Sequence, residues 1–248
     1  MTLLEVVNKV LRRLREDEVG TVDETSYSRL IGEFVNEAKE SLEDMWFWSV
    51  YETEIDTSLL GDSSTVTYDL TATNDRSFLV RRRRDNLPLA FDVTSGDKSG
   101  QVKDIPWKQL RATKAIQTGT ETASTAPEFA LKPDSDGRGW SIELLYPCSS
   151  ARTLRTYWYV PQAYLETDGT DDGTEILLPS NPIFLGALMY AMNERGEEIG
   201  EPGNLQEQKF HRAAAAAMEL DMQANKISDD IDMTNLESLR NELTGGGW

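Results

Sequence analysis

Carboxylates are the side chains of this chain in the best supply for chemistry. Asp and Glu number 43 against 25 Lys and Arg, with one histidine, His211, and one cysteine, Cys148. A single thiol and a single imidazole remove the common nucleophile–base pairs, histidine-based metal sites, multi-thiolate zinc sites and an internal disulfide framework. Cys148 in LLYPCSS reads as a structural residue at a strand end, and His211, ahead of five alanines, as a packed or surface residue of a helix. What remains is acid–base work by paired carboxylates or oxygen coordination of a hard cation. No pair stands in a context that would drive its two pKa values apart, and there is no phosphate-binding loop, dinucleotide fingerprint or nucleophile elbow. The residues therefore nominate no catalytic group, no cofactor and no metal, although a carboxylate-based hydrolase is not formally removed.

Two charge clusters call for a reading. Between Tyr164 and Asn204 there are nine acidic residues and one basic residue, Arg195. Asp168, Asp171, Asp172 and Glu175 offer calcium-type ligands there, but without the twelve-residue spacing that closes on a bidentate Glu; an exposed acidic turn is the better reading. The only basic run is Arg81, Arg82, Arg83 and Arg84. It could grip phosphates or an acidic partner, and contact with an acidic neighbouring surface is favoured over solvated or locally paired arginines. The formal net charge of −18 argues against sequence-reading DNA binding, which needs a basic face. It is compatible with a wall that DNA passes without sticking, or with solubility alone.

These groups must be held by a frame of mixed type, and 248 residues suffice for one. The organising stretch is Tyr27–Val50, whose apolar residues Tyr27, Leu30, Ile31, Phe34, Val35, Ala38, Leu42 and Met45 share one helical face. It ends in Trp46, Phe47 and Trp48, a cluster expected to close the core and act as a hinge where helix becomes strand. Upstream, Thr2 to Arg15 predicts a helix with Thr2 as N-cap and Glu5 completing a capping box, so that the two helices form an αα-hairpin. Period-two runs follow at Val50–Ile55, Thr65–Leu70, Phe78–Arg83, Glu128–Lys132, Ser141–Tyr146 and Thr153–Val160. A short helix is predicted over Asp104–Ile116 with Asp104 as cap, and a loop at Gln117–Ala126.

After the irregular acidic stretch from Gln162 to Ser180, a nearly all-apolar helix begins at Pro182 with Asn181 as cap. A second, carrying Ala213–Ala217, spans Asn204 to about Asn225. From Lys226 on, Ile227, Ile231, Met233, Leu236, Leu239, Leu243 and Trp248 are spaced anchors in an otherwise polar tail, which reads as an arm that orders on a partner. The expected class is α+β: a bundle core of about four helices, an inserted antiparallel β-rich layer and an extended C-terminal arm. The expected segments are 1–49 and 161–225 for the helical core, 50–160 for the β layer and 226–248 for the arm. No apolar run is long enough to span a membrane.

The helical pair LLEVVNKVLRRL and SRLIGEFVNEAKESLEDMWFWSV resembles the opening of phage head-to-tail adaptors, the head-completion family that includes tail tubular protein A. The resemblance runs on through IPWKQLRA, APEFALKPD, IELLYPCSS with TLRTYWYVPQAYL, and LLPSNPIFLGALMYAMNERGE, to about residue 225. It implies a structural virion protein, assembled in the host cytoplasm: a ring of twelve subunits beneath the portal that continues the DNA channel. The β layer would face a nozzle or other tail protein, and the arm would reach the portal. Two readings from other classes stay open, a tail-associated cell-wall glycan hydrolase and a calcium- or partner-binding adaptor outside any virion.

Overall fold

The computed structural model describes residues 1–62, 64–81, 89–94, 100, 102–116, 127–134, 139–196 and 201–224, with backbone alone for 201–204. The architecture is α+β. The chain divides into two compact units, one made of Met1–Val50 and the described residues from Gln162 on, the other of Tyr51–Pro161.

The first unit is helical. α1 (Leu3–Arg13) starts where Thr2 takes an extended backbone and its hydroxyl accepts from the Glu5 N–H at 3.3 Å, while the Glu5 carboxylate accepts from the Thr2 N–H at 2.9 Å. This is the capping box expected from the sequence. α2 (Ser26–Met45) is capped by Thr25 and stops when Trp46 turns extended, at φ −151° and ψ 152°. It therefore ends at the aromatic cluster, as expected, and a short 3₁₀ turn (Ser49–Tyr51) carries the chain on. The buried stripe of α1 is Leu3, Val6, Val7, Val10 and Leu11. On α2 it includes Ile31, Val35, Ala38 and Leu42, as the spacing predicts, but also the polar residues Ser28, Asn36, Lys39 and Glu43.

α4 (Ser180–Glu194) packs against α2 and against α5 (Glu201–Ala224). Its apolar side chains are buried or half-buried all round, in keeping with its composition. The expected Asn181 cap is not formed: the helix begins two residues earlier than Pro182, at Ser180 after Pro179, with no side-chain cap. Gly186 lets α4 come close to both neighbours, since a β-carbon there would lie 2.8 Å from Ala38 Cβ and 3.0 Å from Phe210 Cε2. Ala214 and Ala217 of the alanine run are buried, which fits small residues serving close helix approach.

The second unit holds two four-stranded sheets. In one, β1 (Glu52–Leu59) pairs antiparallel with β8 (Arg152–Tyr159) along its whole length, and β3 (Phe78–Leu79) and β4 (Ala90–Asp92) also pair with β8. In the other the order is β2-β7-β6-β5, with β2 (Thr67–Leu70), β7 (Trp140–Leu144), β6 (Glu128–Pro133) and β5 (Lys103–Asp104). The β5–β6 pair is parallel, so the layer is not wholly antiparallel as expected. Inward residues of both sheets share one core that includes Leu59, Leu70, Phe129, Ile142, Leu154 and Trp158. Cys148 is buried in that core, where loss of solvent raises its thiol pKa.

α3 (Trp107–Ile116) covers a smaller cluster of Ile105, Leu110, Ala130 and Leu145. Asp104 does not cap it. The residue lies in β5, and its carboxylate is paired with Arg81.

The three consecutive aromatics are not equivalent. Trp48 is 1% exposed and its indole N–H donates to the Leu42 carbonyl at 2.7 Å. Trp46 is half-buried and Phe47 is 38% exposed. Trp48→Ala should therefore lower the unfolding free energy by about 3–5 kcal/mol. Phe47→Ala should stay within about 1 kcal/mol. Denaturant unfolding of the two variants checks the ranking, and equal losses would contradict it.

Candidate interaction surfaces and the polar seam

The acidic stretch after Gln162 is fastened to the helical hairpin by side chains that look like solvent-face residues. Lys39 Nζ donates to the carbonyls of Gln162 (2.9 Å) and Ala163 (3.1 Å), and lies 3.5 Å from Glu43 Oε1 one turn on. Both side chains of this pair are essentially sealed from solvent. Asn36 grips Leu165 with both ends of its amide: Nδ2 donates to the Leu165 carbonyl at 2.8 Å, and Oδ1 accepts its N–H at 3.0 Å. Asn8 holds Val19 in the same way, at 2.9 Å for each bond. Ser28 donates to the Val22 carbonyl at 2.8 Å. Each amide pincer satisfies a backbone donor and acceptor at once, as a strand neighbour would.

The next part of the same stretch completes the start of α1. Leu3 and Leu4, whose N–H groups have no partner inside the helix, donate to the carbonyls of Thr174 and Asp172, both at 3.2 Å. Three of the carboxylates weighed above as calcium-type ligands, and read there as an exposed acidic turn, face backbone donors. Asp172 accepts the Val22 N–H at 3.2 Å, Asp171 the Glu166 N–H at 2.8 Å, and Asp168 the Thr170 N–H at 2.9 Å. Hydrogen bonds from Thr170 hold the Asp168 carboxyl below its usual pKa. Glu175 forms a bridge with Thr2. Among the described residues no group of three or more His, Cys, Asp or Glu side chains is arranged to hold a metal ion.

Asp221 of α5 gathers the segment that leaves α2. It accepts from the Trp46 indole N–H at 3.0 Å and from the Ser49 hydroxyl at 2.5 Å. At the far end of α4, Arg195 donates to the Tyr27 hydroxyl at 2.6 Å and to the Leu14 carbonyl at 3.4 Å, and pairs with Glu16.

Within the β unit, Asp56 and Arg155 face each other across β1 and β8 and bind through two parallel hydrogen bonds of 2.8 and 2.7 Å. The guanidinium holds the Asp56 carboxyl below its usual pKa. At Asp92, burial pushes the pKa up, but Thr94 and Arg152 outweigh it and the net direction is down. His211 is half-buried, with Nε2 3.7 Å from Glu207.

Of the residues singled out in the sequence, Trp46, Phe47 and Trp48 stand at the exit of α2. Arg81 stands two residues beyond β3, paired with Asp104 of its own chain. Arg82, Arg83 and Arg84 lie outside the described residues, as do Ile227, Ile231, Met233, Leu236, Leu239, Leu243 and Trp248. The seam residues Asn36, Lys39 and Glu43, and the clamp Asp221, were not expected. Ser28, Gly32, Asn36, Lys39 and Glu43 do share a helix face beside the apolar stripe, and their spacing was the signal available in the sequence.

The chain belongs to the SU10 adaptor protein family, whose family model matches residues 1–236. It is a bacteriophage adaptor, a virion component that binds other phage proteins. No curated protein matches the chain. Among the described residues no helix is long and apolar enough to cross a membrane.

The seam makes a direct prediction. Lys39→Met leaves Glu43 buried without its cation and two carbonyls without their donor, and should destabilise the chain by about 3–5 kcal/mol. Chemical denaturation of the variant measures this; a loss below about 1 kcal/mol would mean that the pair is solvated in solution.

Proposed function

We propose that this chain is the head-to-tail adaptor that assembles as a ring beneath the portal and continues the DNA channel towards the tail. The observation that carries the reading is family membership over residues 1–236, nearly the whole chain. The helical unit would be the ring body. The β unit, with Arg81–Arg84, would meet a neighbouring subunit or a tail protein such as a nozzle. The segment Lys226–Trp248 would be the arm that orders on the portal, its spaced apolar anchors and terminal Trp248 supplying the contacts. The Trp46–Trp48 segment would hold the exit of the chain from the ring body.

The charge supports a conduit rather than a gripping surface. A formal charge of −18 per chain repels phosphates, so DNA can move past a ring of such subunits without being captured. A dodecamer is the number implied by the resemblance to tail tubular protein A-like adaptors. Assembly in the host cytoplasm, ahead of incorporation into the virion neck, follows from the same reading.

Electron microscopy of the full chain mixed with its portal protein tests this. The expected result is a ring coaxial with the portal, and loss of portal binding when residues 226–248 are deleted while the remaining chain keeps its melting transition. Unchanged binding by the truncated chain would overturn the arm assignment, and the absence of any ring on the portal would overturn the adaptor geometry.

A further inference from the structure

The helical unit carries two outward rows of opposite character. On α5, Leu205, Lys209, Arg212, Ala216 and Leu220 follow one another at intervals of four, three, four and four residues, which is a single helix face. All five are exposed, Leu205 by 51% and Leu220 by 67%. The row is diametrically opposite Phe210, Ala214 and Met218, the residues that α5 buries. Lys209 and Arg212 have no carboxylate partner among the described residues. Arg12, Arg29, Lys114, Arg155 and Arg195 are each paired within the chain, while Arg13 and Arg15 likewise have no carboxylate partner among the described residues.

On α2, Glu33, Glu37, Glu40 and Asp44 repeat the four–three–four spacing on a face that flanks the polar seam, with Tyr164 of the crossover beside Glu33 and Glu40. Glu33, Glu37 and Asp44 are exposed and Glu40 is half-exposed. Neither Glu33 nor Glu37 has a cation partner among the described residues. Lys209 and Arg212 are separated by about 4.5 Å along their helix axis, and Glu33 and Glu37 by about 6 Å along theirs, so each cation can face one carboxylate.

We infer that the outward row of α5 docks on the outward acidic row of α2 in a second copy of this chain. Charge complementarity selects the occupant. A cationic row flanked by exposed leucines is out of character on a chain with a net charge of −18, and an acidic row of the same spacing stands on the same helical unit. Both rows face outward, so one copy cannot satisfy its own. Because the two rows are different surfaces, the contact is head-to-tail and propagates, and it closes when the rotation between copies divides a full turn. Leu205 and Leu220 would supply the apolar anchors, with Lys209 and Arg212 between them fixing the register. The inference rests on the proposed ring and assigns two of its surfaces.

The test is charge reversal read by assembled mass, in light scattering and sedimentation, with and without the portal. Lys209→Glu with Arg212→Glu, and separately Glu33→Lys with Glu37→Lys, should each weaken self-association by about tenfold or more. All four positions are exposed, so the melting transitions should not move. Mixing the two variants should restore assembly as alternating copies, because each α5 row then meets an α2 row of opposite sign. The chain carrying all four changes should also assemble by itself. Assembly by either double variant at wild-type strength would overturn the inference while leaving the portal-bound ring in place. A closed twofold dimer as the end state, or no rescue on mixing, would also overturn it. A wild-type chain that neither assembles nor binds portal would remove the ring reading together with this one.

Discussion

The helical unit depends on the approach of three helices at one glycine. At Gly186 the space a β-carbon would need is already taken by Ala38 of α2 and Phe210 of α5. Ala38 cannot yield by changing rotamer, because its β-carbon is fixed to the backbone. Two consequences follow. α2 and α5 each turn one face to α4 and are left with outward faces that no other described helix covers. The stretch after Gln162 must then find its place on a third side of α2, where Asn36, Lys39 and Glu43 receive it.

That third side shows why part of the molecule was hard to read in advance. The helices, their apolar stripes and the capping box at Thr2 were legible because periodicity and cap chemistry are local. Strands β1, β2, β3, β6, β7 and β8 were legible for the same reason, whereas the short β4 and β5 were not. The caps proposed at Asp104 and Asn181 failed because other demands won. Asp104 is drawn into β5 and paired with Arg81, and α4 starts at Ser180, directly after Pro179. The polar seam was not read because Asn36, Lys39 and Glu43 have the types expected of a solvated face. Only their tertiary partners, more than a hundred residues away in sequence for Asn36 and Lys39, make them buried. The parallel β5–β6 pairing is likewise a long-range outcome, in a strand of two residues too short to carry a pattern.

The abundant carboxylates acquire a plain physical role. Asp168, Asp171, Asp172 and Asp221 accept from backbone or side-chain donors at turns and helix exits. Asp56 and Asp92 pair with arginines on β8, and their pKa values fall. Carboxylates without a cation partner among the described residues, such as Glu33 and Glu37 of α2, give the surface its sign. In the proposed conduit the chain has to hold neighbours firmly and DNA not at all. Pairing within the fold combined with unpaired acid outside is a distribution that can do both.

The central claim is that close helix approach at Gly186 sets the faces the unit presents. It is tested most directly by the unfolding free energy of Gly186→Ala. Alanine in a helix interior is favoured over glycine by about 1 kcal/mol, so propensity alone would stabilise the variant. Overpacking against a fixed neighbour costs about 1–3 kcal/mol, and here it should win. The account predicts a net loss of stability, seen as a lower denaturation midpoint at an unchanged slope. A gain of the size that helix propensity provides would contradict it.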